Sequence, residues 1–143
     1  MPIINAAGLS LVEKSEGCVL TAYQDGGGVW TIGFGHTGPE VVAGLTWTME
    51  QAVTALERDL EVAEKSVQDL VEIVLNPNEF AALVDFEFNT GALAASPGLA
   101  LINSRDFEEA WDDHLCLWVH DANGNVEPGL VTRRAREKAL FFS

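Results

Sequence analysis

Apolar Ala6, Ala7, Leu9 and Val12, set against Glu13, Lys14 and Glu16, recur at the spacing of a short amphipathic helix over 5–16, and Gly17 is placed to stop it. From Cys18 to His36 the period shortens. Val19-Leu20-Thr21-Ala22-Tyr23 and Val29-Trp30-Thr31-Ile32-Gly33 read as two strands of a hairpin joined across Gln24-Asp25-Gly26-Gly27-Gly28. Gly33 and Gly35 predict a bend or a close backbone approach at the end of the second strand. Beyond Gly44 the period is helical throughout. Thr48-Met49-Glu50-Gln51 is a capping box, and behind it Val53, Leu56, Leu60, Ala63, Val67, Leu70, Val71 and Val74 mark one long helix, or two with a bend. Asn76-Pro77-Asn78-Glu79 restarts a helix that carries Phe80, Leu83, Val84 and Phe88 to a stop at Gly91.

A short helix from Ser96-Pro97 to about Asn103 follows. Another spans Asp106 to Trp118, with Phe107, Ala110, Trp111, Leu115 and Trp118 on one stripe, which predicts both tryptophans as core. Residues 121–125 are a turn, and Gly129 to Phe142 is the last helix. Tyr23 is expected to pack, while Trp30 is open between packing and sugar stacking. The fold class is α+β, a small N-terminal sheet beside mostly helices. No repeat or linker divides the 143 residues, so one domain over 1–143 is expected, with a β-rich part at about 17–44 and a helical part at 1–16 and 45–143.

Composition narrows the function. With 48% apolar residues and four tryptophans the chain can bury a core, so disorder is excluded. Lys and Arg number 8 against 22 Asp and Glu, a net charge of −14. Nucleic acid and anionic membranes are poor partners for such a surface. Five of the eight basic groups lie in residues 98–143, four of them in Arg133-Arg134-Ala135-Arg136-Glu137-Lys138. That run is either the solvated face of a C-terminal helix or a ligand-facing cluster. Cys18 and Cys116 stand far apart without metal-ligand spacing, so free thiols, no metal and no cofactor are expected. No apolar run has the length of a membrane span, and the start lacks a secretory signal.

The informative stretch is EGCVLTAYQDGGGVWTIGFGH, Glu16 to His36. Glu16 ends a helix, Asp25 sits in a glycine-rich turn nine residues on, and Thr31 follows on a strand six residues later. Splitting an acetal needs two carboxyl groups on opposite sides of the bond, one protonated to serve the leaving oxygen and one ionised. A glutamate among apolar groups at a helix end can stay protonated, while an aspartate amid backbone N–H groups stays charged. Surface carboxylates are common, however, and spacing alone does not choose this reading over solvated side chains.

The run Glu16-Gly17, Tyr23, Asp25, Gly28, Thr31-Ile32-Gly33, Gly35-His36 closely resembles the catalytic signature of phage-type lysozymes, glycoside hydrolase family 24. The resemblance continues through Leu45-Thr46 to Leu60, through Leu75-Asn76 to Gly91, and through Trp118-Val119-His120 and Pro128 to Phe141. It implies a lysozyme-like fold and hydrolysis of the β-1,4 bond between N-acetylmuramic acid and N-acetylglucosamine in peptidoglycan. Glu16 is then the general acid, Asp25 the carboxylate across the cleft, and Thr31 a holder of the attacking water or of the surroundings of a covalent adduct. Asn89 matches a position where the family sets an amide near the glycan; from the charge distribution, Arg133 and Arg134 of the basic run are the candidate cations for glycan carboxylates. Inversion with Asp25 orienting water is the preferred outcome, expected at a carboxyl separation of about 6.5–9.5 Å; retention at about 5–5.5 Å is the alternative. His36 is expected to pair with a carboxylate rather than shuttle protons.

The expectation is thus an endolysin, a monomer without cofactor that accumulates in the host cytoplasm. It would reach the periplasm and wall only after a holin permeabilises the membrane. A catalytically silent peptidoglycan-binding module and a virion-associated wall-penetrating lysozyme are the alternatives.

Overall fold

A computed structural model describes residues 2–143. The chain forms two compact units, one built from residues up to Leu11 together with Val62–Ser143, the other from Val12–Glu61. Helix α1 (Ala6–Glu16) and helix α2 (Met49–Leu70) each carry the chain from one unit into the other.

The unit Val12–Glu61 is organised by an antiparallel sheet in the order β1 (Val19–Gln24), β2 (Trp30–Gly33), β3 (His36–Thr37). Tyr23 pairs with Thr31 and Gln24 with Trp30, and a bulge between Val19 and Tyr23 shifts the register. Sequence periodicity predicted β1 and β2 but not the two-residue β3, which is too short to carry a period. The glycines explain how β3 arises: Gly33 (φ 68°) and Gly35 (φ 80°) adopt left-handed backbone around Phe34, and the chain doubles back at once. Gly33 is needed a second time, because a Cβ there would stand 3.1 Å from the Trp47 ring. Trp47 N–H donates to the Leu20 carbonyl at 2.8 Å, so the approach to α2 is laced to the outer side of β1. Thr48 and Gln51 then close the expected capping box at 3.2 and 2.8 Å. Val12, Ile32, Leu56 and Leu60 are buried, and Tyr23, expected to pack, is instead 40% exposed.

The other unit is helical. Helix α3 (Pro77–Thr90) opens with the expected capping box at Asn76 and Glu79 and ends on Gly91 in the left-handed region. Its residues Phe80 to Phe86 are all buried, so it is the central helix, packed against α6 (Pro128–Phe141). Two short helices, α4 (Gly98–Asn103) and α5 (Phe107–Asp113), complete the unit.

Two boundaries differ from expectation. The apolar stripe continues to Val74, yet α2 stops at Leu70. Asn103 explains this: its amide donates to the Leu70 carbonyl at 3.2 Å, and its oxygen accepts from Glu72 N–H at 2.8 Å, taking over the helix-terminal groups from α4. The predicted helix over 106–118 breaks at His114 and resumes as a 3-10 turn at Leu115–Leu117. Trp111 is wholly buried against Phe86 and Phe141, and Leu115 just past the break is buried too, but the stripe reaches the surface by its last residue. Trp118, expected in the core, is 42% exposed.

Candidate functional site

Within Val12–Glu61 the three residues singled out in sequence are held by different means. Glu16 is the last residue of α1, half-buried, and the left-handed Gly17 after it turns the chain into β1. Its Oε2 lies 3.5 Å from the point a Cβ on Gly35 would occupy. Gly35 is therefore required by the positive φ of the β2–β3 turn, since a Cβ there would meet Glu16 only at ordinary contact distance.

Asp25 opens the β1–β2 loop and is exposed. Its Oδ1 accepts from Gly27 N–H at 2.8 Å and from Val29 N–H at 2.9 Å. Its own N–H donates to the Val29 carbonyl at 2.9 Å, and Gly28 (φ 80°) donates back to the Asp25 carbonyl at 2.9 Å. One carboxylate oxygen is thus spent on the turn, which leaves Oδ2 for chemistry. Thr31, 5% exposed on the central strand, donates its hydroxyl hydrogen to that same Val29 carbonyl at 3.0 Å. Both peptide groups of Val29 are engaged: its N–H orders the Asp25 carboxylate, and its C=O orders Asp25 N–H and the Thr31 hydroxyl. Sequence reasoning missed Val29, because its part is played by the main chain. The available signal was the Asp-x-x-Gly spacing of a turn with a left-handed fourth residue.

His36 lies in the same unit, its side chain 18% exposed, between two carboxylates. Nδ1 is 2.7 Å from Asp59 Oδ2 and Nε2 is 2.6 Å from Glu40 Oε1, and the ring tilts against Trp47 at 5.4 Å between centroids. Only an imidazolium donates from both nitrogens at once. Burial works against that charge, but hydrogen bonds to Glu40 and Asp59 outweigh it and raise the His36 pKa above its ordinary value. This is the structural carboxylate pairing the sequence suggested, with two partners instead of one.

The remaining candidates belong to the helical unit. The C-terminal basic run is divided by the helix period: Arg133, Arg134 and Glu137 are buried, while Ala135 and Arg136 are exposed and Lys138 pairs with Asp112. It is neither one solvated face nor one cationic patch, since Glu137, three and four residues on, shares the buried side with Arg134 and Arg133 while Ala135 and Arg136 lie on the other. Arg133 grips Asp85, itself fully buried, in a fork with contacts of 2.9 and 2.8 Å. Arg134 Nε lies 2.7 Å from Glu137 Oε1, and Nη2 donates to Glu137 Oε2 at 3.0 Å. Desolvation pushes the Glu137 carboxyl well up and the Arg134 guanidinium down, each resisted by the other's charge. Asn89, half-buried near the end of α3, accepts from Arg134 Nη2 at 2.6 Å through Oδ1. No group of three His, Cys, Asp or Glu among the described residues is arranged to hold a metal ion.

Comparison with known proteins agrees across nearly the whole length. The phage lysozyme family model matches residues 13–137. The endolysin of Salmonella phage P22 is 38% identical to this chain, over 98% of each. The endolysin of Lactococcus phage c2 is also 38% identical, over 96% of this chain but 59% of its own length, so the chain spans a little over half of that longer relative. A crystal structure of P22 lysozyme superposes with a TM-score of 0.89 at 35% identity, covering all of both chains.

Proposed function

Since the chain belongs to the phage lysozyme family and is a glycoside hydrolase of the endolysin kind, we propose that Glu16, Asp25 and Thr31 carry its reaction. The bond cut is the β-1,4 linkage from N-acetylmuramic acid to N-acetylglucosamine in peptidoglycan. Glu16 protonates the leaving oxygen. Asp25 and Thr31 hold the water that replaces it, so hydrolysis inverts the anomeric carbon.

The tie of Asp25 and Thr31 through Val29 carries this reading. Asp25 Oδ1 is occupied by two N–H groups, and the Thr31 hydroxyl has given its hydrogen to Val29. Asp25 Oδ2 and the lone pairs of Thr31 Oγ1 are both acceptors. A water donating one hydrogen to each presents its own lone pair to the sugar, and as it attacks its proton passes to Oδ2. The same rigid loop keeps a negative charge against the oxocarbenium-like transition state. In this division of labour Asn89 offers an amide to the glycan, and Arg133 and Arg134 act from behind, as buried holders rather than exposed ligands.

No helix of the described residues is long and apolar enough to cross a membrane. The enzyme acts on the wall as a monomer, and its passage from the host cytoplasm is opened by a separate membrane-lesioning protein of the holin type.

The test is turbidity loss of outer-membrane-permeabilised bacteria with Glu16→Gln, whose amide keeps the shape but donates no acidic proton. The expected fall is at least about a hundredfold with an unchanged melting temperature. Retention of more than about a tenth of the wild-type rate would move the acid role away from Glu16. NMR of the first-formed reducing end reads the stereochemistry: initial α-anomer supports water held by Asp25, and initial β-anomer makes Asp25 a nucleophile.

A further inference from the structure

Arg134 is placed as no surface cation would be. It is 1% exposed, its guanidinium carbon stands 5.0 Å from the centre of the Phe86 ring, and Glu137, 0% exposed, grips it at two points. Nη1 reaches the carbonyl of Trp118 at 3.4 Å, the longest of its hydrogen bonds. These contacts set the orientation of the guanidinium plane. One of its Nη2 hydrogens is directed at Asn89 Oδ1, at 2.6 Å.

A carboxamide has two nearly isosteric ends and rotates about a broad, roughly two-fold torsion. Left alone on a half-exposed helix end, the Asn89 side chain would present its oxygen outward about as readily as its –NH2. A guanidinium contains donors only, so it is satisfied by the oxygen and repels the –NH2. With Oδ1 drawn inward to Arg134, the planar amide must turn Nδ2 and its two hydrogens the other way.

We propose that Arg134, braced by Glu137, is a positioning residue that locks the Asn89 amide with its –NH2 outward, as a donor for a glycan oxygen such as an acetamido carbonyl. This rests on the reading that Asn89 faces the glycan. The ligand's contribution is an acceptor, and Arg134 itself never touches it. Ordering the amide in advance removes a cost that substrate would otherwise meet on binding, so the effect falls on KM.

Three variants, assayed on soluble un-cross-linked glycan strands, test this. Asn89→Asp keeps an oxygen for Arg134 and deletes the donor: KM rises about tenfold, kcat is held, and the melting temperature stays at or above wild type. Arg134→Met with Glu137→Leu removes both buried charges together, so neither is left unpaired, and KM rises about 3- to 10-fold with kcat held. Arg134→Lys keeps a charge for Glu137 without the fork and gives a KM increase of the same sign, which covers failure of the double replacement to fold. Combining Asn89→Asp with the double replacement adds nothing further to KM, because Arg134 acts only through Asn89. If Asn89→Asp leaves KM unchanged, the reading of Asn89 fails and the proposal falls with it. If Asn89→Asp raises KM while the Arg134 variants leave it at wild type, or if the effects multiply, Asn89 keeps its role and the positioning by Arg134 is overturned.

Discussion

The loop from Asp25 to Val29 and the loop from Asp121 to Asn125 are the same turn built twice, one in each compact unit. In both, the aspartate N–H donates to the carbonyl four residues on, at 2.9 and 2.8 Å, and the glycine three residues on donates back, at 2.9 and 3.0 Å. In both, Oδ1 accepts two main-chain N–H groups, at 2.8 and 2.9 Å around Asp25 and at 2.9 and 3.0 Å around Asp121. The glycines, Gly28 and Gly124, share a φ of 80° and 81°. What differs is the surroundings. The first loop joins two strands, and its Val29 carbonyl also holds Thr31. The second closes on a single bridge, His120 with Val126. An ordered carboxylate is therefore inexpensive to make from five residues. What sets Asp25 apart is that the residue ordering it also orders a buried hydroxyl.

The sharpest way to break the comparison is to neutralise both aspartates without disturbing either turn. Asparagine keeps Oδ1 as an acceptor, so Asp25→Asn and Asp121→Asn should both fold as wild type. Lysis should fall about a hundredfold or more for the first and stay at wild type for the second. Equal activities would mean that both loops are merely structural.

Alanine takes the turn bonds as well. Asp25→Ala and Asp121→Ala should each lower stability by about 1–2 kcal/mol in urea titrations, and a loss confined to one of them would show that the turns are not equivalent. A smaller loss, about 1 kcal/mol, is expected for Gly28→Ala and Gly124→Ala, where a Cβ meets no neighbour and only the left-handed φ is penalised.

The smallest effect concerns pH and belongs to the unit that holds Asp25. His36 has its pKa raised by Glu40 and Asp59 against the opposing burial, so its stabilisation is complete below the unfolded value near 6.5 and is lost as pH rises through the folded one. Glu40, lowered chiefly by its hydrogen bond to His36, loses its share as pH falls through its own folded value. Melting temperature should therefore show a plateau between the two and decline on the alkaline side, and His36→Gln should flatten that decline. An unchanged slope in the variant would locate the titration elsewhere.

How much of this was legible in the chain follows from how local each cause is. The caps at Thr48 and Asn76, the stop at Gly91, the hairpin around Asp25 and the α+β class are written in the sequence, because propensity, hydrogen-bonding reach and period act within a few residues. So is the family, through a signature dense in residues of restricted geometry. Tertiary structure alone decided the rest. Helix α2 ends at Leu70 because Asn103, far along the chain, takes its terminal groups. Trp118 is exposed although its stripe continues that of buried Trp111, because the helix between them breaks at His114. The basic run looks uniform in sequence, yet Arg133 and Arg134 are inside and Arg136 is outside. Their partners Asp85 and Asn89 lie on another helix, and a buried charge goes where a carboxylate or carbonyl is waiting for it, which no local pattern records.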